Sequence, residues 1–181
     1  MKIRTGFVSN SSSSSFIVKK SIIDEIKTKI DADKFYSRFD DSFLSKDEVI
    51  KIIKSDIEEF DKETSEDKEK EYEYIASIIA SSLIINKTKI DDYLKFNLTN
   101  EMIKEIENFK KAEPRFGNNY FSDIRKISEK IIDKIIETLQ NEECYILEYE
   151  DCTDNGFLME CSVMPEIAEN TNSVFYSINN H

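Results

Sequence analysis

The sequence predicts a helix-rich α+β fold in one domain. Its small, mostly antiparallel sheet is built from an N-terminal strand and three C-terminal strands, with the intervening helices packed behind it. Three observations predict this. Two prolines and three glycines in 181 residues leave few points at which the chain must break, so helix should dominate. Apolar residues recur at helical spacing from about residue 21 to residue 141. The period then changes to two in ECYILEYE, residues 143–150, an alternating stretch rich in aromatic and branched residues.

SFIVKK, residues 15–20, is expected as a short strand. Ser21 is placed to cap a helix carrying Ile22, Ile23, Ile26 and Ile30, with Asp24 three residues on. Phe35, Tyr36 and Phe39 suggest a second short helix over 33–39. Ser45 and Glu48 have capping-box spacing, and Val49, Ile53, Ile57 and Phe60 follow as a stripe to about residue 60.

The run DKETSEDKEKEYE, residues 61–73, is charged with mixed sign and is read as the solvated first half of a long helix. Its second half, YIASIIASSLII, is apolar nearly all round and small at Ala76, Ala80 and Ser81. That composition predicts a buried central helix against which others pack closely. Thr88 would cap a short helix with Ile90, Tyr93 and Leu94. Asn100 would cap another with Met102, Ile103, Ile106 and Phe109. AEPRFGNNY, residues 112–120, reads as a loop. A long helix with Ile124, Ile127, Ile131, Ile135 and Leu139 on one face should end near Asn141.

After the strand at 143–150, Asn155-Gly156 is a hairpin signal, with FLMECSVMP (157–165) as the next strand and SVFYSINN (173–180) as the last. The lone N-terminal strand needs a partner. Lys19 and Lys20 beside Glu148, Glu150 and Glu160 would supply favourable cross-strand pairs. Residues 1–181 are thus divided into a serine-rich loop (1–14), a helical region (21–141) and a C-terminal β region (143–180).

The net charge is −12 and it is unevenly spread. Residues 1–20 hold Lys2, Arg4, Lys19 and Lys20 and no acid, whereas residues 142–181 hold nine acids and no Lys or Arg. Such a surface argues against direct nucleic-acid binding, which needs cations to displace counterions from phosphates. It suits a protein partner that is basic, including one that handles nucleic acid. The N-terminus lacks the apolar core of a secretory signal, and the apolar stretch around Ile75–Ile85 is too short and too serine-rich to span a bilayer. No membrane role and a cytoplasmic location are expected, with Cys144, Cys152 and Cys161 as reduced thiols.

The segment before Phe16 is the main site candidate. Arg4, Ser9, Asn10, Ser11, Ser12, Ser13 and Ser14 offer hydroxyls and backbone N–H groups to an anion, with Arg115 and His181 as possible contributors. No Walker pattern accompanies them. A catalytic serine would need a base, and the one histidine is the final residue. A plain polar tail and a modification or processing site are the competing readings. Asp151–Gly156 lacks the alternating acids and closing glutamate of a calcium loop. The three cysteines with His181 lack any C-x-x-C pair, so neither a metal nor a cofactor is expected.

RTGFVSNSSSSSF, Arg4 to Phe16, is similar to the N-terminus of a scattered group of uncharacterised proteins, many encoded by bacteriophages and low-GC bacteria. The resemblance covers about a tenth of the chain, and the acidic C-terminal region ending in histidine is loosely similar too. It implies a mobile-element origin and no chemistry. The function expected from all this is that of a non-enzymatic accessory protein acting through an acidic surface. The alternative is a small ligand-binding, phosphate-binding or catalytic domain with its site at the serine-rich loop.

Overall fold

The two ends of the chain meet in one sheet. The computed structural model describes residues 13–37, 42–84, 98–111, 118–150 and 155–179. Strand β1 (Ser13–Lys19) lies at the centre, with β4 (Cys144–Glu150) on one side and β5 (Val174–Asn179) on the other, and both pair with it antiparallel. The register sets Ser15 opposite Glu148, Ile17 opposite Ile146 and Lys19 opposite Cys144. Along β5, Ser14 faces Asn179, and a bulge falls between Ile17 and Val18. Phe16, Ile17 and Val18 are all buried, so both faces of β1 are covered.

The helix-rich α+β class and the joining of both termini in one antiparallel sheet therefore hold. The electrostatic reason offered for the pairing does not. Antiparallel alignment carries the basic end of β1 to the start of β4, where Lys19 meets Cys144, and it is the serines that face Glu148 and Glu150. The apolar complementarity of Phe16 to Val18 with Tyr145 to Leu147 sets the register.

Among the described residues the sheet has three strands, not the expected four. Residues 157–165 do not form a strand. The single turn α6 (Gly156–Leu158) runs through a π-helical turn (Met159–Val163) into α7 (Met164–Asn170). Gly156 accordingly starts a helix instead of closing a hairpin. Pro165 has no N–H to donate one turn back, and the widened turn ends two residues before it, at Val163.

Helix α1 (Ile22–Lys29) buries Ile22 and Ile26. Ser21 makes no cap bond, its hydroxyl donating to Glu25 Oε1 instead (3.1 Å). The expected helix over 33–39 is absent at residues 34–36. Strand β2 (Lys34–Tyr36) pairs there with β3 (Phe43–Ser45), burying Phe35 and Leu44 on one side and exposing Tyr36 and Phe43 on the other. A three-residue strand needs only one buried position per strand, so a short aromatic cluster does not distinguish it from a helical turn.

Helix α2 (Lys46–Asp61) starts with the full capping box: Ser45 Oγ accepts from the Glu48 N–H, and the Glu48 carboxylate accepts from the Ser45 N–H at 2.8 Å. Val49, Ile50, Ile53 and Phe60 are its buried stripe.

The chain divides into two compact units, Met1–Lys62 with Cys144–His181, and Glu63–Glu143. The division falls inside the stretch read from sequence as one helical region. In the second unit, α3 (Ser65–Ile84) buries Tyr72, Ile75, Ala76, Ile79, Ala80 and Leu83. Ala76 and Ala80, four residues apart, leave room for close approach. Against α3 pack α4 (Asn100–Lys111), which buries Ile106, and α5 (Asn118–Asn141), which buries Ile131, Ile135 and Leu139. Thr99 caps α4, its hydroxyl accepting from the Met102 N–H at 3.2 Å, one residue before the expected Asn100. Helix α5 begins at Asn118, so the end of the expected 112–120 loop is helical. The helix expected after Thr88 and residues 112–117 lie outside the described residues.

Candidate functional site at the serine end of the central strand

The serine run enters the sheet earlier than expected. Ser13 and Ser14, expected in the loop, join Ser15 in β1. Alternation places Ser14, Phe16 and Val18 on one face, directly opposite Tyr149, Leu147 and Tyr145 of β4. Helix α2 lies against those tyrosines: the Tyr145 ring meets Phe60 edge-on at 5.7 Å, and Tyr149 also contacts Phe16 at 6.0 Å.

Two paired residues on this face each give a hydroxyl to a carboxylate. Ser14, fully buried, donates to Glu160 Oε1 at 2.5 Å, the length of a charge-assisted bond. Tyr149 donates to Asp56 Oδ2 at 3.0 Å. Burial, reinforced by the nearby Asp56 carboxylate, holds the Tyr149 phenol well above its ordinary pKa, so it remains a donor. Glu160 is only 4% exposed, and it reaches the strand from the π-helical turn. Here a buried acid finds a donor that strand geometry fixes in place. On the opposite face Ser15 Oγ lies 3.4 Å from Glu148 Oε1, a long contact between directly paired residues.

This arrangement bears on the chemistry proposed for the run. An anion cradle needs unspent donors in a positive field. Ser14 spends its hydroxyl on Glu160, and the neighbouring groups are carboxylates. As a nucleophile Ser14 would have a carboxylate beside it, but with no exposed surface it offers no approach to a substrate. The hydroxyl–carboxylate pairs therefore fasten α2 and the π-helical turn to the sheet.

Ser13 stands at the start of β1, opposite Glu150. Arg4, Ser9, Asn10, Ser11 and Ser12, together with Arg115 and His181, lie outside the described residues. So do Cys152 and Asp151–Asp154. Cys144 is buried at the start of β4 and Cys161 half-buried in the π-helical turn, neither in a disulfide. Among the described residues no group of three His, Cys, Asp or Glu side chains is arranged to hold a metal ion, and no helix is long and apolar enough to cross a membrane.

Glu160, Tyr149 and Asp56 were not singled out as site residues from the sequence. The one available signal was Glu160 itself, a lone acid between the apolar runs FLM and SVM. No family model, curated protein or solved structure matches this chain.

Proposed function

We propose that this protein is a non-enzymatic accessory protein, of phage or mobile-element origin, that binds a basic protein partner through its acidic surface. The observation that carries the reading is the net charge of −12, with residues 142–181 holding nine acids and no Lys or Arg. Exposed carboxylates lie on both compact units, among them Glu58 and Glu59 on α2, Glu150 at the end of β4, and Glu69 and Glu73 on α3. Such a field steers cationic partners and repels nucleic acid.

The rival reading, a ligand or phosphate site at the serine run, has lost support at Ser14, whose hydroxyl serves a carboxylate.

Affinity capture with the immobilised chain, at low and high salt, tests the proposal. Basic proteins retained at low salt and released at high salt are expected, because exposed charge pairs are screened. Capture of nothing at low salt overturns it. Saturable binding of inorganic phosphate, abolished by Arg4→Ala, would favour the rival.

A further inference from the structure

Among the described residues three large hydrophobic side chains are exposed, Tyr36, Phe43 and Tyr74. Two of them, Tyr36 (62% exposed) and Phe43 (49%), are direct cross-strand partners in the β2–β3 pair. Their rings lie 5.9 Å apart and tilted by 45°. The opposite face of the pair is anchored by buried Phe35 and Leu44, so the two aromatic rings are held outward on a fixed base.

That face already takes a cation. Lys34 Nζ sits 4.3 Å from the centroid of the Phe43 ring. The flanking charge is mostly negative: Asp31 and Asp33 lead into β2, and Asp47 and Glu48 follow β3, all exposed. The Glu48 carboxyl is held below its ordinary range by the Ser45 hydroxyl and N–H, so it stays ionised. Of the other bases here, Lys51 acts on Glu48 from the next turn of α2, and Lys46 directs its ammonium to the Ile30 and Lys27 carbonyls.

We infer that the outward face of the β2–β3 pair is the docking site for an arginine-rich segment of the basic partner, with a guanidinium stacked on Tyr36 and neighbouring cations paired with Asp33 and Asp47. This rests on the acidic-surface reading above and names the place and the side chain it recognises. Arginine fits better than lysine because its planar, weakly hydrated guanidinium stacks on a ring while still donating to carboxylates. A single-stranded nucleic acid would also stack on the aromatic rings, but its phosphates would meet the four acids. A second copy of so acidic a chain meets the same repulsion.

The test uses the full chain, titrated with octa-arginine and with octa-lysine peptides and followed by the NMR signals of the tyrosine and phenylalanine rings. Saturating shifts at Tyr36 and Phe43 are expected, with octa-arginine binding the tighter. Tyr36→Ala should weaken octa-arginine about twofold to fivefold, the effect of one exposed cation–π contact, and Tyr36→Phe should retain it. Tyr36 is too exposed for either change to threaten the fold. If Tyr36→Ala binds as well as the wild type while salt still releases the peptide, the docking site is overturned and the acidic-surface reading stands. If neither peptide binds at low salt, both are overturned.

Discussion

Glu25 on α1 gathers more polar contacts than any other exposed-edge carboxylate described above, and replacing it by Gln isolates the contribution of its charge. Its Oε2 accepts from Lys29 Nζ at 2.7 Å and from the Asn172 N–H at 3.0 Å, and its Oε1 accepts from Ser21 Oγ at 3.1 Å. The Asn172 bond joins α1 to the segment leading into β5. The same segment is tied to the end of β1 by the Lys19 N–H on the Ser173 carbonyl at 2.7 Å. These contacts, Lys29 first, lower the Glu25 pKa from 4.5 to about 2. Taken whole, that shift corresponds to about 3 kcal/mol of stability at neutral pH. The Glu25 side chain is 17% exposed but Lys29 is 44% exposed, so water and salt screen the largest contribution. About 1–2 kcal/mol is the expected loss.

The folded state holds Glu25 ionised to lower pH than the unfolded state does. Its contribution is therefore fully present above about pH 4.5 and disappears as the pH falls toward 2. Urea unfolding of the wild type and Glu25→Gln between neutral pH and about pH 2 should show a gap that closes across that window. Gln keeps an acceptor for Asn172, so the amide exchange of Asn172 should change less than the global stability. A gap of the same size at every pH, or no gap at neutral pH, would refute the assignment of the stability to the Glu25 charge.

Ser14→Ala removes the hydroxyl given to buried Glu160 and should lower stability by about 1–3 kcal/mol, seen as a reduced urea midpoint; an unchanged midpoint would mean that Glu160 needs no donor from β1. In the second unit Ile79, fully buried on α3, should cost about 2–5 kcal/mol when changed to Ala, read from amide protection along α3 and α5.

The features that could be read from the sequence were those whose cause is local or strictly periodic. The Ser45–Glu48 box is written within four residues, and the structure forms both of its bonds. Ile131, Ile135 and Leu139 recur at helical spacing, and all three are buried on α5. Residues 157–165 misled because the Asn155-Gly156 pair reads as a hairpin turn and a short apolar run fits strand or helix alike, although the buried Met159, Glu160, Val163 and Met164 recur at the i, i+3 and i, i+4 spacing of one helical face. The serine run was legible as unusual, and as strand only at its last residue, Ser15, not at Ser13 and Ser14. Its two described hydroxyl contacts are with residues far along the chain, Ser14 with Glu160 and Ser15 with Glu148, and no local window contains them. Lys19 and Lys20 suggested the right neighbour by the wrong chemistry, since charge is indifferent to strand direction until register is known.

The edge-on contact of Phe60 with Tyr145 has a consequence for how this chain can be built and altered. Those two residues stand just before and just after Glu63–Glu143 and both belong to the first unit, so its two sequence-distant segments touch within that unit. In chain order the second unit is therefore an insert between two segments of the first that already hold each other. A host with its exit and entry already clamped by an aromatic pair bears little chain-closure entropy for whatever lies between, because closure grows only slowly with length. A short turn joining Lys62 to Cys144 should thus leave the three-stranded sheet intact, and a different helical insert should be tolerated in the same place.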